Sequence, residues 1–167
     1  MTILKYGFVL AAAIIAMHVL SYLIEPTLLF SLIQKLVVGV LPACVVIYFA
    51  LRQKLATNEG SLMFSEAFQT SLFTYIIGTF IGALFYFILI NYINPELVTL
   101  GRETLANTGL AMIEKMGGEV GDTEELRKVF TEKINPFSLS MIMLDWLGKL
   151  FFPGLIVALL LAALGKS

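Results

Sequence analysis

Four long apolar runs constrain the fold of this chain more than any other feature of its sequence. They cover residues 6–24, 28–51, 67–93 and 139–164. Each run is close to or longer than the roughly 20 residues that a helix needs to cross a bilayer core. A helix also satisfies its own backbone hydrogen bonds, which lipid cannot do. We therefore expect an all-α, polytopic membrane protein with four transmembrane helices, forming a single membrane domain over residues 1–167.

Composition excludes several classes of protein. Of the 167 residues, 59% are hydrophobic and 14% charged, whereas a soluble domain is about half apolar and a quarter charged. The net charge of −1 gives no basic surface for nucleic acid. The single cysteine, Cys44, excludes an internal disulfide, and the single histidine excludes a multi-histidine metal site. No catalytic motif is visible, so we expect no enzymatic activity, no metal and no cofactor.

The basic residues of the termini and short loops predict the orientation. Lys and Arg in short loops favour the cytoplasmic side of a membrane. With four crossings, Lys5, Arg52, Lys54 and Lys166 all fall on one side. We therefore expect both termini on the cytoplasmic side of the membrane, and the insert of residues 94–135 outside.

The insert is typical of a helical hairpin. Asn94–Glu96 provides a capping Asn, a Pro and an acid, a common start for a helix. Glycines interrupt the pattern at Gly117–Gly121, and Asp122 with Glu125 then resembles a capping box. This extracytoplasmic hairpin either lies on the membrane and caps the bundle, or docks an envelope protein partner.

Small residues recur every four positions in three of the runs and predict close helix packing. Either they hold a four-helix bundle together within one chain, or the ridge of the third helix forms a homodimer face. Pro42 and Pro153 should kink their helices. The small-residue series are Thr70, Thr74, Gly78 and Gly82 in the third helix, Gly154, Ala158 and Ala162 in the fourth, and Ser31, Gly39 and Ala43 in the second.

Four ionisable residues fall within the apolar runs, where they are costly and suggest function by default. They are His18, Lys35, Asp145 and Lys149. Counting residues along straight helices places both lysines near the outer edge of the hydrocarbon. Asp145 precedes Lys149 by four residues, which favours an ion pair. The layer either anchors the helices by snorkelling, or forms a pocket for a lipid headgroup or another anionic ligand.

Three segments carry a resemblance to a known family. They are Phe64–Phe68, Tyr92–Glu96 and Pro153–Leu159. The chain resembles the Bacteroidota membrane proteins grouped as domain of unknown function 4199. This resemblance implies four membrane helices with a long insert between the last two, and a bacterial inner-membrane location. It supplies no activity and no site residues.

Three functional hypotheses remain open at this stage. The first is a non-enzymatic accessory or scaffold protein of the inner membrane that binds itself or an envelope partner. The second is a small oligomeric transporter or channel. The third is an envelope-lipid binding protein that uses the outer polar layer. The lipid bilayer is a partner in all three.

Overall fold

All regular structure in the described part of the chain is helical, which confirms the all-α class. A computed structural model describes residues 2–56, 64–115, 128 and 135–164. The second helix predicted for the insert lies outside these residues, apart from Lys128. The helices are α1 Thr2–Ile24, α2 Leu32–Ala56, α3 Phe64–Ile88, α4 Glu96–Lys115, α5 Leu139–Lys149 and α6 Leu155–Leu164. A 3-10 turn, Pro26–Phe30, precedes α2, and π-helical turns Leu89–Ile93 and Leu150–Gly154 follow α3 and α5.

Two of the described helices, Leu4–Ile24 and Ala67–Ile93, are long and apolar enough to cross a membrane. A third apolar stretch, Ile33–Phe49, is shorter. Only 28% and 33% of the residues in the most apolar windows of the two long helices are buried inside the protein. Large apolar side chains therefore face outwards along these helices, whereas a soluble protein rarely exposes large contiguous apolar surface.

Helices α1 and α3 lie side by side and run parallel. A Cβ placed on Gly78 would lie 2.5 Å from Leu10 Cγ, and one on Gly82 would lie 2.6 Å from Ile14 Cγ2. The next contact along both helices is between the ring of His18 and the ring of Tyr86. Both series advance by four residues in the same direction, so the glycines of α3 receive successive side chains of α1.

Helix α2 runs back along α1. At one end of the pair, Ser21 hydrogen-bonds Gln34, and at the other the ring of Tyr6 stacks on Phe49 with a centroid distance of 4.1 Å. Residues later in α1 thus contact residues earlier in α2. The two helices are therefore antiparallel. Helix α2, which connects α1 to α3 in the sequence, runs in the direction opposite to both.

Helix α5 is antiparallel to α3. Asn91 Nδ2 donates to the carbonyl of Phe137 over 3.0 Å, and Trp146 Nε1 donates to Thr79 Oγ1 over 3.0 Å. The first pair joins the π-helical turn after α3 to the segment before α5, and the second pair joins the middle of α3 to a residue near the end of α5. The described helices thus follow an up-down-up-down order, with α4 inserted before the last member.

The two Asn-Pro sequences fold alike. Asn94 Oδ1 accepts a hydrogen bond from the N–H of Glu96, and Asn135 Oδ1 accepts one from the N–H of Phe137, each over 3.2 Å. Helix α4 begins at the first turn. Helix α5 begins only after Ser138, whose hydroxyl accepts a bond from the α5 backbone. The second turn therefore leads into the helix, and serine supplies its cap.

The two prolines within helices have different effects. The α-helix continues through Pro42, which is fully buried, whereas Pro153 lies in the π-helical turn. Proline lacks the N–H that would bond the carbonyl four residues earlier, here that of Lys149. Tyr75 of α3 donates its hydroxyl to this carbonyl over 3.2 Å, and a Cβ on Gly154 would lie 2.7 Å from the Tyr75 ring.

The remaining small residues have mixed environments. Thr74 and Ala158 are buried, and the Thr74 hydroxyl has no hydrogen-bond partner among the described residues. The side chain of Ala162 lies outside the described set. Gly39 does not pack against a helix, since a Cβ there would meet nothing within 4 Å. Ser31 precedes α2, and its hydroxyl accepts the N–H of a residue in the first turn of α2.

We expect Gly78→Ala to destabilise the bundle by about 1–3 kcal/mol, the usual cost of overpacking a tight interface. The added methyl group would overlap the inner part of the Leu10 side chain, which cannot swing away as a flexible tip would. Thermal unfolding of the purified protein in detergent or nanodiscs measures the change. Gly148→Ala is the matched control, because its Cβ has nothing within 4 Å. Equal melting temperatures for the two variants would contradict the α1–α3 interface.

Candidate functional site

A cavity of about 380 Å³ lies between α1, α2, α3 and α5. This volume is within the range of about 300–1,000 Å³ that is typical of small-molecule sites. The four ionisable residues singled out from the sequence, His18, Lys35, Asp145 and Lys149, all line this one cavity. The fold therefore brings together side chains that come from three different helices.

Helix α4 and the 3-10 turn close one end of the cavity. The rings of Phe30 and Phe137 contact each other with a centroid distance of 5.3 Å. Gly101 of α4 lies over both rings, and a Cβ there would lie 2.5 Å from Phe137 Cζ and 2.6 Å from Phe30 Cε1. The absence of a side chain at Gly101 thus lets α4 cover the bundle as a roof.

A neutral hydrogen-bond network forms the buried wall. Ser21 Oγ donates to Gln34 Oε1 over 2.9 Å, and Gln34 Nε2 lies 3.5 Å from His18 Nδ1. All three side chains are buried, and the imidazole meets the Tyr86 ring edge-on at 5.0 Å. Because Ser21 occupies the amide oxygen, the amide nitrogen faces His18, so Nδ1 accepts and the ring proton is on Nε2. The Nε2–H donor has no hydrogen-bond partner among the described residues.

The charged groups lie on the open side of the cavity. Lys149 Nζ forms an ion pair with Asp145 Oδ2 one turn earlier, with the two side chains 45% and 64% exposed. Lys35 is also exposed and interacts electrostatically with both partners. One carboxylate faces two ammonium groups here, so this side of the cavity carries an excess of one positive charge when His18 is neutral.

The backbone of Lys149 lies level with the middle of α3. Its main-chain carbonyl accepts a hydrogen bond from Tyr75, and the stretch after Lys149 is a π-helical turn. Side chains in a helix point towards its N-terminus, so the ammonium group reaches back to Asp145 and lies nearer the roof than its backbone.

Residues of α2 and α5 line the cavity on facing sides. Helix α2 packs against the π-helical turn and α6, and in the described part of the chain it makes few or no close contacts with α5. Gly39 of α2 lines the cavity and leaves open space beside its backbone. Lys35 lies on the same helix, and Met141 and Asp145 lie across from them on α5. The exposed side chains of Lys35, Met141 and Asp145 place a partly open side of the cavity between α2 and α5.

Sequence reasoning missed the neutral wall. Gln34 and Ser21 were not singled out, although a buried amide within an apolar run, next to Lys35, is an unusual feature that points to a hydrogen-bond partner. The role of Gly39 as an opening also differs from the predicted packing role. Tertiary contacts decide both, because the partners lie on different helices.

One match to a known protein family decides which family this chain belongs to. Residues 5–167 match a family model described as "Protein of unknown function (DUF4199)". The chain belongs to the DUF4199 family. This confirms the family that the sequence resembles. No curated protein and no solved structure matches the DUF4199 chain, so its function is argued from the geometry of the cavity.

We expect Gln34→Leu to lower the free energy of unfolding by about 1–3 kcal/mol, because it leaves buried groups on Ser21 and His18 without their partner. Gln69→Leu is the matched control, since Gln69 is exposed on α3. Chemical or thermal unfolding in detergent gives both values. A loss no greater than that of the control would show that the Ser21–Gln34–His18 network is not formed.

Proposed function

We propose that this DUF4199 chain is a multi-pass membrane protein that binds an amphiphilic ligand, taken sideways from the lipid, in the cavity between α2 and α5. The observation that carries this proposal is one partly open cavity that joins apolar walls to a buried polar network and a charged rim. Ligand sites commonly combine apolar walls with a few placed polar groups.

The helix directions favour four crossings. If α1 and α3 both span the membrane and run parallel, the chain between them must return, and α2 has 25 residues for this. Residues 139–164 are helical throughout and run antiparallel to α3. The basic residues near the termini, Lys5 and Lys166, and those near the end of α2, Arg52 and Lys54, then favour cytoplasmic termini. The family resemblance favours a bacterial inner membrane. The roof formed by α4 is extracytoplasmic in this arrangement.

The geometry favours amphiphile binding over the other two hypotheses. Below the cavity, Leu10, Val46 and Tyr75 form a buried apolar cluster with Ile14, which favours a closed pocket over a channel through one subunit. The glycine ridge of α3 is filled by α1 of the same chain, which leaves it no homodimer role. We therefore propose binding without chemistry, since the only carboxylate among the lining residues is already paired with Lys149.

The proposed topology predicts the result of reporter fusions. Gly118 lies in the insert, outside the described residues, and a phosphatase fused there should be active outside the cytoplasm. A fluorescent protein fused after Ser167 should fold and fluoresce inside. The opposite pattern, or an inactive phosphatase on a stably expressed fusion, would contradict both the four crossings and the outer location of the roof.

We expect Gly39→Leu to reduce bound amphiphile about tenfold or more, because the side chain fills the open space at the entrance. A steric loss of about 1.4 kcal/mol corresponds to each tenfold change in affinity. Native mass spectrometry of protein extracted gently from its membrane counts the bound molecules. Gly148→Leu makes the same change at an exposed position of α5 that does not line the cavity. Equal ligand occupancy in both variants would rule out this cavity as the binding site.

A further inference from the structure

We infer that the ligand is a single-chain amphiphile with one negative charge, whose oxyanion head binds Lys35, Lys149 and the Nε2–H of His18. This inference deepens the proposed function and depends on it. It names a chemical class, which carboxylates and phosphodiesters share, and not one compound. Three features of the cavity lead to it: its charge, its hydrogen-bond donors and its size.

The charge balance favours a monoanion. Lys149 is paired with Asp145, and Lys35 interacts electrostatically with both, so one carboxylate stands against two ammonium groups. A ligand with one negative charge would leave the side chains and the ligand neutral together. A neutral or zwitterionic head would cover these side chains and leave one ammonium group unmatched, and burying a charge without compensation is costly. A dianion would leave an excess of negative charge next to Asp145.

The donor geometry favours oxygen atoms on the head. Ammonium groups are donors only, and Gln34 directs the His18 proton to Nε2, on the ring that lines the cavity. His18 is only 6% exposed, so water reaches its donor only through the cavity. Its Nε2–H is accessible from the cavity, so an acceptor on the ligand can bind it. An oxyanion supplies several acceptors and can bind the lysines and His18 at the same time.

The size and walls favour one acyl chain. A volume of about 380 Å³ is near the lower end of small-molecule sites, which is too little for a phospholipid with two chains. The walls below the charged groups include Val38, Ile14 and Ile142. A single hydrocarbon chain covers such walls within this volume, with its head at the charged side chains.

Binding of four probes to the full-length protein in nanodiscs tests the inference. The probes are palmitate, lysophosphatidylglycerol, zwitterionic lysophosphatidylcholine and two-chain phosphatidylglycerol. We expect palmitate, lysophosphatidylglycerol or both to bind at least about tenfold more tightly than the other two, which corresponds to the loss of one charge-assisted hydrogen bond. Preference for one of the two favoured probes identifies the ligand as a carboxylate or a phosphodiester, and either result supports the proposal.

Variants of the charged groups should have effects of opposite sign. Lys35→Met and Lys149→Met should each weaken binding of the favoured probe about tenfold, whereas Lys115→Met, on exposed α4, should not. Asp145→Asn should strengthen it, because both lysines are then free for the ligand. His18→Phe, which keeps a ring next to Tyr86 but lacks the donor, should weaken it. A general loss of folding would weaken binding in every variant and cannot produce this reversal.

Failure of the inference is distinct from failure of the proposed function. Equal affinity for lysophosphatidylcholine, or equal affinity for the two-chain lipid, overturns the monoanionic single-chain ligand while leaving a pocket for amphiphiles. Weaker binding by Asp145→Asn overturns the charge argument in the same way. If no probe binds the wild-type protein, zwitterion included, both the inference and the proposed function are wrong.

Discussion

The close approach of α1 to α3 is the contact on which the rest of this structure depends. Gly78 and Gly82 leave space for Leu10 and Ile14, so two apolar helices meet along a ridge with a period of four residues. In lipid there is no hydrophobic drive for helices to associate, and such close packing provides most of the attraction. Because this pair is parallel, the chain that connects α1 to α3 must run in the opposite direction, and α2 does so. This sets the order of the helices in the bundle.

The packing of α1 against α3 forms one wall of the cavity, and the other helices do not fill the space beside it. The tight interface of α1 with α3 holds His18 against Tyr86 on this wall. Helix α2 then joins α1 through Ser21 and Gln34 but makes few or no close contacts with α5 in the described part of the chain. Tyr75 fixes the break between α5 and α6 by donating to the carbonyl of Lys149. The opening is thus positioned by packing on one side and by a proline-associated π-helical turn on the other.

The polar groups of the cavity are graded from its rim to its wall. The ions lie where they are exposed, and the neutral groups lie where they are buried. This order follows from the cost of desolvation, which is far greater for a charge than for an amide or a hydroxyl. An amphiphile has the complementary gradient, because its charged head and apolar chain are separated along one molecule. That match is the physical basis of the proposed function.

The sequence by itself determined the helical class, the apolar runs, the start of α4 after Asn94 and the spacing that pairs Asp145 with Lys149, because these depend on local periodicity. It also identified the four ionisable residues, since charges within apolar runs are conspicuous. Only the tertiary structure decided that they share one cavity, that Gly39 is an opening and that Gln34 orients His18. These features arise from contacts between helices far apart in the chain, and residue counting along straight helices contains neither their rotation nor the break at the π-helical turn.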